Sequence, residues 1–177
     1  MRLLTLLVLA FSFQLSAAPK DQVANGNLTY GQEVFNSLQI NGFVTLTGTT
    51  ILQRLQVNGN LSASNAQIGE LHSNGQASLS HCQVKGKCTV TGSLKGFYTS
   101  FDQPIVLTSD NSVFDSCSIT SIQVLKSKDN ITQTVEIKGK TNIIGLISFE
   151  SGNGQVLACR ECQVKESNIV GGKLVRR

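Results

Sequence analysis

A repeat governs what this chain can fold into. Between Leu38 and Lys126 a five-residue segment recurs: Leu38-Gln39-Ile40-Asn41-Gly42, Leu55-Gln56-Val57-Asn58-Gly59, Leu71-His72-Ser73-Asn74-Gly75, Cys88-Thr89-Val90-Thr91-Gly92, Ile105-Val106-Leu107-Thr108-Ser109 and Ile122-Gln123-Val124-Leu125-Lys126. The starts lie 17, 16, 17, 17 and 17 residues apart. A sustained period signals a repeat architecture. This one is too short for helix pairs or propeller blades and suits one coil of a β-solenoid.

Strands send alternate side chains to opposite faces. Applied to each unit, that rule yields three apolar pairs. The first side carries Leu38/Ile40, Leu55/Val57, Leu71/Ser73, Cys88/Val90, Ile105/Leu107 and Ile122/Val124. The second carries Val44/Leu46, Leu61/Ala63, Ala77/Leu79, Leu94/Gly96 and Asn111/Val113. The third carries Thr49/Ile51, Ala66/Ile68, Cys82/Val84, Thr99/Phe101 and, slipped by one, Cys117/Ile119. Three inward segments per turn define a triangular coil, stacked on the next as a parallel sheet about 4.8 Å away. Gly42, Gly59, Gly75 and Gly92 fall where the first corner must turn, and glycine accepts the positive φ that a corner can require. Asn-Gly turns in a string of hairpins are the competing reading, but hairpins seldom hold a 16–17 residue register through five steps. The composition of Thr, Val, Ile, Ser, Gly and Asn disfavours helix. The expected fold is therefore an all-β, single-stranded, right-handed triangular β-solenoid. The hand follows from the rule for crossovers between parallel strands.

The flanks divide as follows. Residues 1–18 read as a secretory signal peptide, with Arg2, an apolar stretch from Leu3 to Phe13, and small residues for cleavage near Ala17 and Ala18. Export to a periplasm, the cell surface or the medium is the corresponding expectation. Residues 19–36 read as a polar lead and N-terminal cap, and 37–172 as the solenoid, with a loop insertion near 126–134. Val135-Glu136-Ile137-Lys138-Gly139 either reopens the motif or forms the third side of its coil. Asn142 to Phe149, the most apolar run of the mature chain, is expected to be buried and strand-rich. Residues 173–177 read as a solvated basic tail.

Composition narrows function. Charged residues make up 15% of the chain, against about 25% in typical soluble domains. The net charge of +4 becomes +3 once Arg2 is removed, 4 − 1 = 3. That balance does not support nucleic-acid binding. The densest basic spots, Lys85-Gly86-Lys87 and Lys138-Gly139-Lys140, read as corners in water. Trp is absent and the only tyrosines are Tyr30 and Tyr98, so no aromatic platform for sugars is visible.

The five cysteines are the main chemical candidates. Cys82, Cys88 and Cys117 fall on inward positions and read as small buried hydrophobes. Cys82 and Cys117 would sit two coils apart, beyond disulfide reach. Cys159-Arg160-Glu161-Cys162 is a CxxC. It can close on itself as a disulfide, pair elsewhere, or serve metal or redox chemistry, but the second ligand pair and the βαβ context those last roles need are missing. His72 and His81 are expected to face outward. Asp102, Asp110 and Asp115 are the nearest approach to an acidic cluster, and they lie where the repeat slips. No catalytic, cofactor-binding or metal-binding residue is assigned. Asn27-Leu28-Thr29, Asn60-Leu61-Ser62 and Asn130-Ile131-Thr132 match the N-glycosylation pattern.

The repeat resembles that of bactofilins, bacterial proteins that polymerise from short triangular β-solenoids. The likeness rests on the coil length, the Leu-Gln-Ile-Asn-Gly and Leu-Gln-Val-Asn-Gly corners, and the three apolar pairs per turn, from Leu38 to Gly139. It implies a scaffold, with homo-oligomers or filaments joined through the solenoid ends, and no catalytic residue to carry over. The chain departs from the family in its leader, its core cysteines and its insertion. A non-enzymatic structural protein is thus the first expectation, with a cell-envelope or surface partner. A surface adhesin or glycan-binding module is the second, and a polysaccharide-acting enzyme the third.

Overall fold

Alternation along the chain becomes a closed apolar lumen. The computed structural model describes residues 18–127 and 131–177. The expected signal peptide, including Ala17 but not Ala18, lies outside the described residues, as does Asn130. The fold is an all-β solenoid of about nine turns, built from parallel stacked coils of about 17 residues. Strands β1 (Lys20–Tyr30), β2 (Val34–Thr47), β3 (Thr50–Ser64) and β4 (Gln67–Ser80) bend around the first corner while staying paired, each in parallel with the next.

Side chains of one repeat position form columns. On the first side Leu38, Leu55, Leu71, Cys88, Ile105, Ile122 and Ile147 stack in register and are buried. On the third, Phe35, Ile51, Ile68, Val84, Phe101 and Ile119 do the same. The first corner is a column of glycines, Gly26, Gly42, Gly59, Gly75 and Gly92, all at φ between +98° and +139°. Beside it Asn25, Asn41 and Asn58 are linked side chain to side chain, each bond 2.8 Å. The second corner is another positive-φ row: Gly48, Asn65, His81, Tyr98, Ser116 and Gly139.

Polar side chains of the second-side column stand at both ends of the lumen, Tyr30 at the first coil and Arg176 at the last. At the first coil Gln22 donates to the Tyr30 hydroxyl across the mouth, 2.6 Å. At the last, the Arg176 guanidinium donates to the carbonyls of Cys159, Cys162 and Val164 at 3.1, 2.9 and 2.6 Å. A free lumen end would expose apolar surface, and these groups cover it with bonded polar atoms.

Several expectations are corrected. Residues 19–36 are no loose lead: β1 pairs with β2 residue for residue from Asp21 to Tyr30 and forms the first coil. Its polar composition misleads because only Ala24, Leu28, Tyr30 and Phe35 need face inward there. Residues 173–177 are no solvated tail: Gly172–Arg176 is a strand paired with Gly154–Ala158. Val135 neither reopens the motif nor forms a third side. Thr134–Lys138 pairs with Asn111–Asp115, so it is the second side of its coil, and the insertion falls at the first corner, between Val124 and Thr134. Gln133 anchors that insertion, donating to Leu125 O at 2.8 Å and Ser109 O at 3.0 Å. The run Asn142 to Phe149 is buried only in part, because it crosses the third corner and turns Ile144 and Leu146 outward, 71% and 50% exposed.

The fifth coil also slips earlier than its spacing suggests. Asn111 is exposed and Val113 points outward, while Ser112 and Phe114 fill the lumen. Ser109 stands where the five preceding coils have glycine, and it lacks the positive φ. An extra residue rounds the corner instead, held by Asn111 N–H donating to Ser109 Oγ at 3.2 Å. Phe114 then meets Phe101 edge to face, centroids 5.9 Å apart, over the space left by Gly96.

Candidate functional site

The cysteines serve the fold. Thr49, Ala66, Cys82, Thr99, Cys117 and Thr141 occupy the position just after the second corner, and all are buried. Thr99 Oγ1 donates to Phe97 O at 3.0 Å; Cys82 Sγ reaches Ser80 O at 3.3 Å and Cys117 Sγ reaches Asp115 O at 3.4 Å. Each is the carbonyl two residues back, at the corner. The place requires a small side chain, which Ala66 satisfies, and Thr and Cys add a donor to it. Thr99 separates Cys82 from Cys117, and Cys82, Cys88 and Cys117 are free thiols. The structure joins Cys159 to Cys162, Cα atoms 5.1 Å apart, across a turn in which Cys162 N–H donates to Cys159 O.

Burial pushes the Cys82 and Cys117 thiols above their ordinary range, and Cys88 up to about 12. The thiol would have to ionise inside an apolar lumen. All three should therefore resist iodoacetamide at pH 8 in the folded chain and label completely in denaturant, read by mass spectrometry. Rapid native labelling would contradict a closed lumen. The linkage has a definite sign. The Cys88 pKa is raised on folding, so its contribution is intact below the ordinary value of 9.0 and lost as pH rises toward about 12. A urea series at pH 8 and pH 10 should show this loss, and Cys88→Ala should reduce it.

The other sequence candidates are dispersed. Asp102 accepts from Gln83 Nε2 after the third side, 2.8 Å. Asp110 accepts from Ser127 Oγ near the first corner, 2.6 Å, and Asp115 from Ser116 Oγ at the second, 2.9 Å. Three acids on three corners do not converge on one bond. His72 faces outward on the first side, its Nε2 3.8 Å from Glu70. His81 sits at the second corner with its ring stacked on exposed Tyr98, centroids 5.0 Å apart. Among the described residues no group of three or more His, Cys, Asp or Glu side chains could hold a metal ion.

Two surfaces remain. One is the outer edge of β1. Its eleven residues pair with β2 on one side, and no described strand pairs with the other. The second is an open groove of about 820 Å³, lined by residues of the first four coils from Asp21 to Gly86. Sequence reasoning missed the groove. The only signal for it is the single spacing of 16 among the 17s. Ile51 pairs with Ile68 and Arg54 with Glu70, so Leu52 and Gln53 together face Gly69 alone. A Cβ on Gly69 would overlap the carbonyl oxygens of Leu52 and Gln53. The short coil tucks inward there, and its neighbour overhangs it.

No protein-family model matches the chain, and no similar curated protein or solved structure was found.

Proposed function

We propose that this is an exported, non-enzymatic structural protein that self-associates through a solenoid end or presents a rigid polar surface to a partner. The observation that carries the reading is the β1 edge. A long strand with one row of backbone groups unmatched by any described strand is a template for another chain. The Gln22–Tyr30 bond across the mouth is consistent with an end whose exposed groups are backbone rather than apolar side chains. The dispersal of the acids over separate corners supports a role without bond cleavage. The bactofilin-like repeat adds the precedent of scaffolds assembled end to end, and the leader-like segment 1–18 supports export.

Sedimentation velocity and electron microscopy of the chain from Pro19 onward test this reading. Reversible association should grow with protein concentration. Val23→Lys, placed on the outer strand where Val23 is 68% exposed, should weaken it by charge repulsion between edges. An ideal monomer at every concentration, with no filaments, would overturn self-association.

A further inference from the structure

We infer that the groove beneath the overhanging corner at Leu52-Gln53-Arg54 is a binding site for an uncharged, hydroxyl-rich glycan. The inference rests on the reading of a rigid polar surface offered to a partner, and it names that surface and its ligand class. The volume of about 820 Å³ lies within the roughly 300–1,000 Å³ typical of ligand sites. The groove follows the solenoid axis over four coils, three steps of about 4.8 Å each. It is an elongated trough suited to a linear chain.

Three of its polar side chains are primary amides with no bond to the described protein. Gln39 and Gln56 point outward from consecutive coils in direct register, and Gln53 overhangs them. Among the described residues none of these three side chains has a hydrogen-bond partner. Their neighbours Asn41 and Asn58 have the same amide and spend it on each other, 2.8 Å apart. The ladder stabilises the coils with asparagine; the glutamines beside it are left to solvent or to a ligand. A primary amide both donates and accepts, which matches a sugar hydroxyl that also does both. Rigid rungs fix the backbone that carries these amides, so binding has only their side-chain rotamers to order.

Charge excludes other ligands. The lining holds two cations, Arg54 and Lys85, and two anions, Asp21 and Glu70. Arg54 pairs with Glu70 at 3.3 Å, Lys85 donates to Gln67 Oε1 at 3.3 Å, and Asp21 accepts from Asn36 at 2.8 Å. Two cations against two anions leave the lining without the net positive charge that draws a polyanion. Val23 and Leu52, 68% and 52% exposed, supply apolar flanks for the C–H faces of pyranose rings. They are too few for a lipid chain.

Isothermal titration of the chain from Pro19 onward, against uncharged β-1,4-glucose, β-1,4-N-acetylglucosamine and α-1,4-glucose hexamers, tests the assignment. At least one hexamer should bind. The double substitution Gln39→Ala/Gln56→Ala should weaken it by about tenfold or more, and Leu52→Ala should weaken it too. Thr45→Ala on the second side should leave it unchanged. Amide chemical-shift changes in the unsubstituted chain should centre on residues 39, 53 and 56, which keeps the test independent of any variant's folding. Self-association of the double variant should be unchanged, so failure here and failure of the end-association reading are distinguishable. The assignment is overturned if no hexamer binds, if binding ignores the double substitution, if the shifts lie elsewhere, or if only an extended peptide occupies the groove.

Discussion

Phe114→Ala will destabilise the chain by about 3–5 kcal/mol, whereas Val113→Ala next to it will cost less than about 1 kcal/mol. Phe114 is fully buried, stands on Ile137 of the next coil, and meets the edge of Phe101. Truncation removes its transfer free energy and leaves a void between rungs that cannot collapse, because the coil spacing is fixed by backbone bonds. Val113 points outward and is only partly buried. The pair is decisive because the plain 17-residue spacing puts Val113 inside, and a one-residue slip exchanges every side chain between faces. Urea midpoints for the two variants read out the register directly. Equal losses, or a larger loss at Val113, would mean the extra residue at Ser109-Asp110 has been misplaced.

Gly59→Ala will cost about 3 kcal/mol or more, and Gly26→Ala distinctly less. Both glycines hold a positive φ, +138° and +98°, which an alanine adopts only with strain. They differ in what lies beneath. A Cβ on Gly59 would overlap the carbonyl oxygen of Gly42, whereas a Cβ on Gly26 meets nothing within 4 Å. Gly26 bears the conformational cost alone; Gly59 adds a steric conflict with backbone already bonded to both neighbouring coils. Thermal and urea unfolding of the two variants separate the terms. If Gly26→Ala proved the more damaging, the corners would not be stacked in a column.

The columns were legible because burial on one face enforces a period of two within a side, and nearly equal coil lengths enforce a period of 16–17 between coils. Leu38, Leu55 and Leu71 carry that signal without ambiguity. The first corner was legible in the first five coils because glycine turns it there. The second was not: Asn65, His81, Tyr98 and Ser116 all adopt positive φ, but they share no side-chain chemistry that reports it. The ends were misread for a related reason. An end coil has one exposed rim, so its sequence, such as Gln22 to Thr29 or Lys173 to Arg176, is more polar than the interior. Arg176 looked like a solvated cation, and its tertiary partners, three carbonyls more than ten residues back, leave no local trace. The groove lies where Leu52 and Gln53 bulge between coils that each supply one residue there, Asn36 and Gly69. The spacing of 16 was on view, but its consequence appears only once Leu52 and Gln53 are seen to overhang Gly69.

The central claim is that the chain advances one rung per repeat along a single axis. Spin labels on the outward first-side column measure that advance. With one label at Gln39 and the second at Thr89, Gln123 or Ser148, the partners lie three, five and six rungs away. Double electron–electron resonance should then give separations rising together through about 14, 24 and 29 Å, each broadened by the label tethers. Separations that fail to increase in that order would contradict the stacked-coil account.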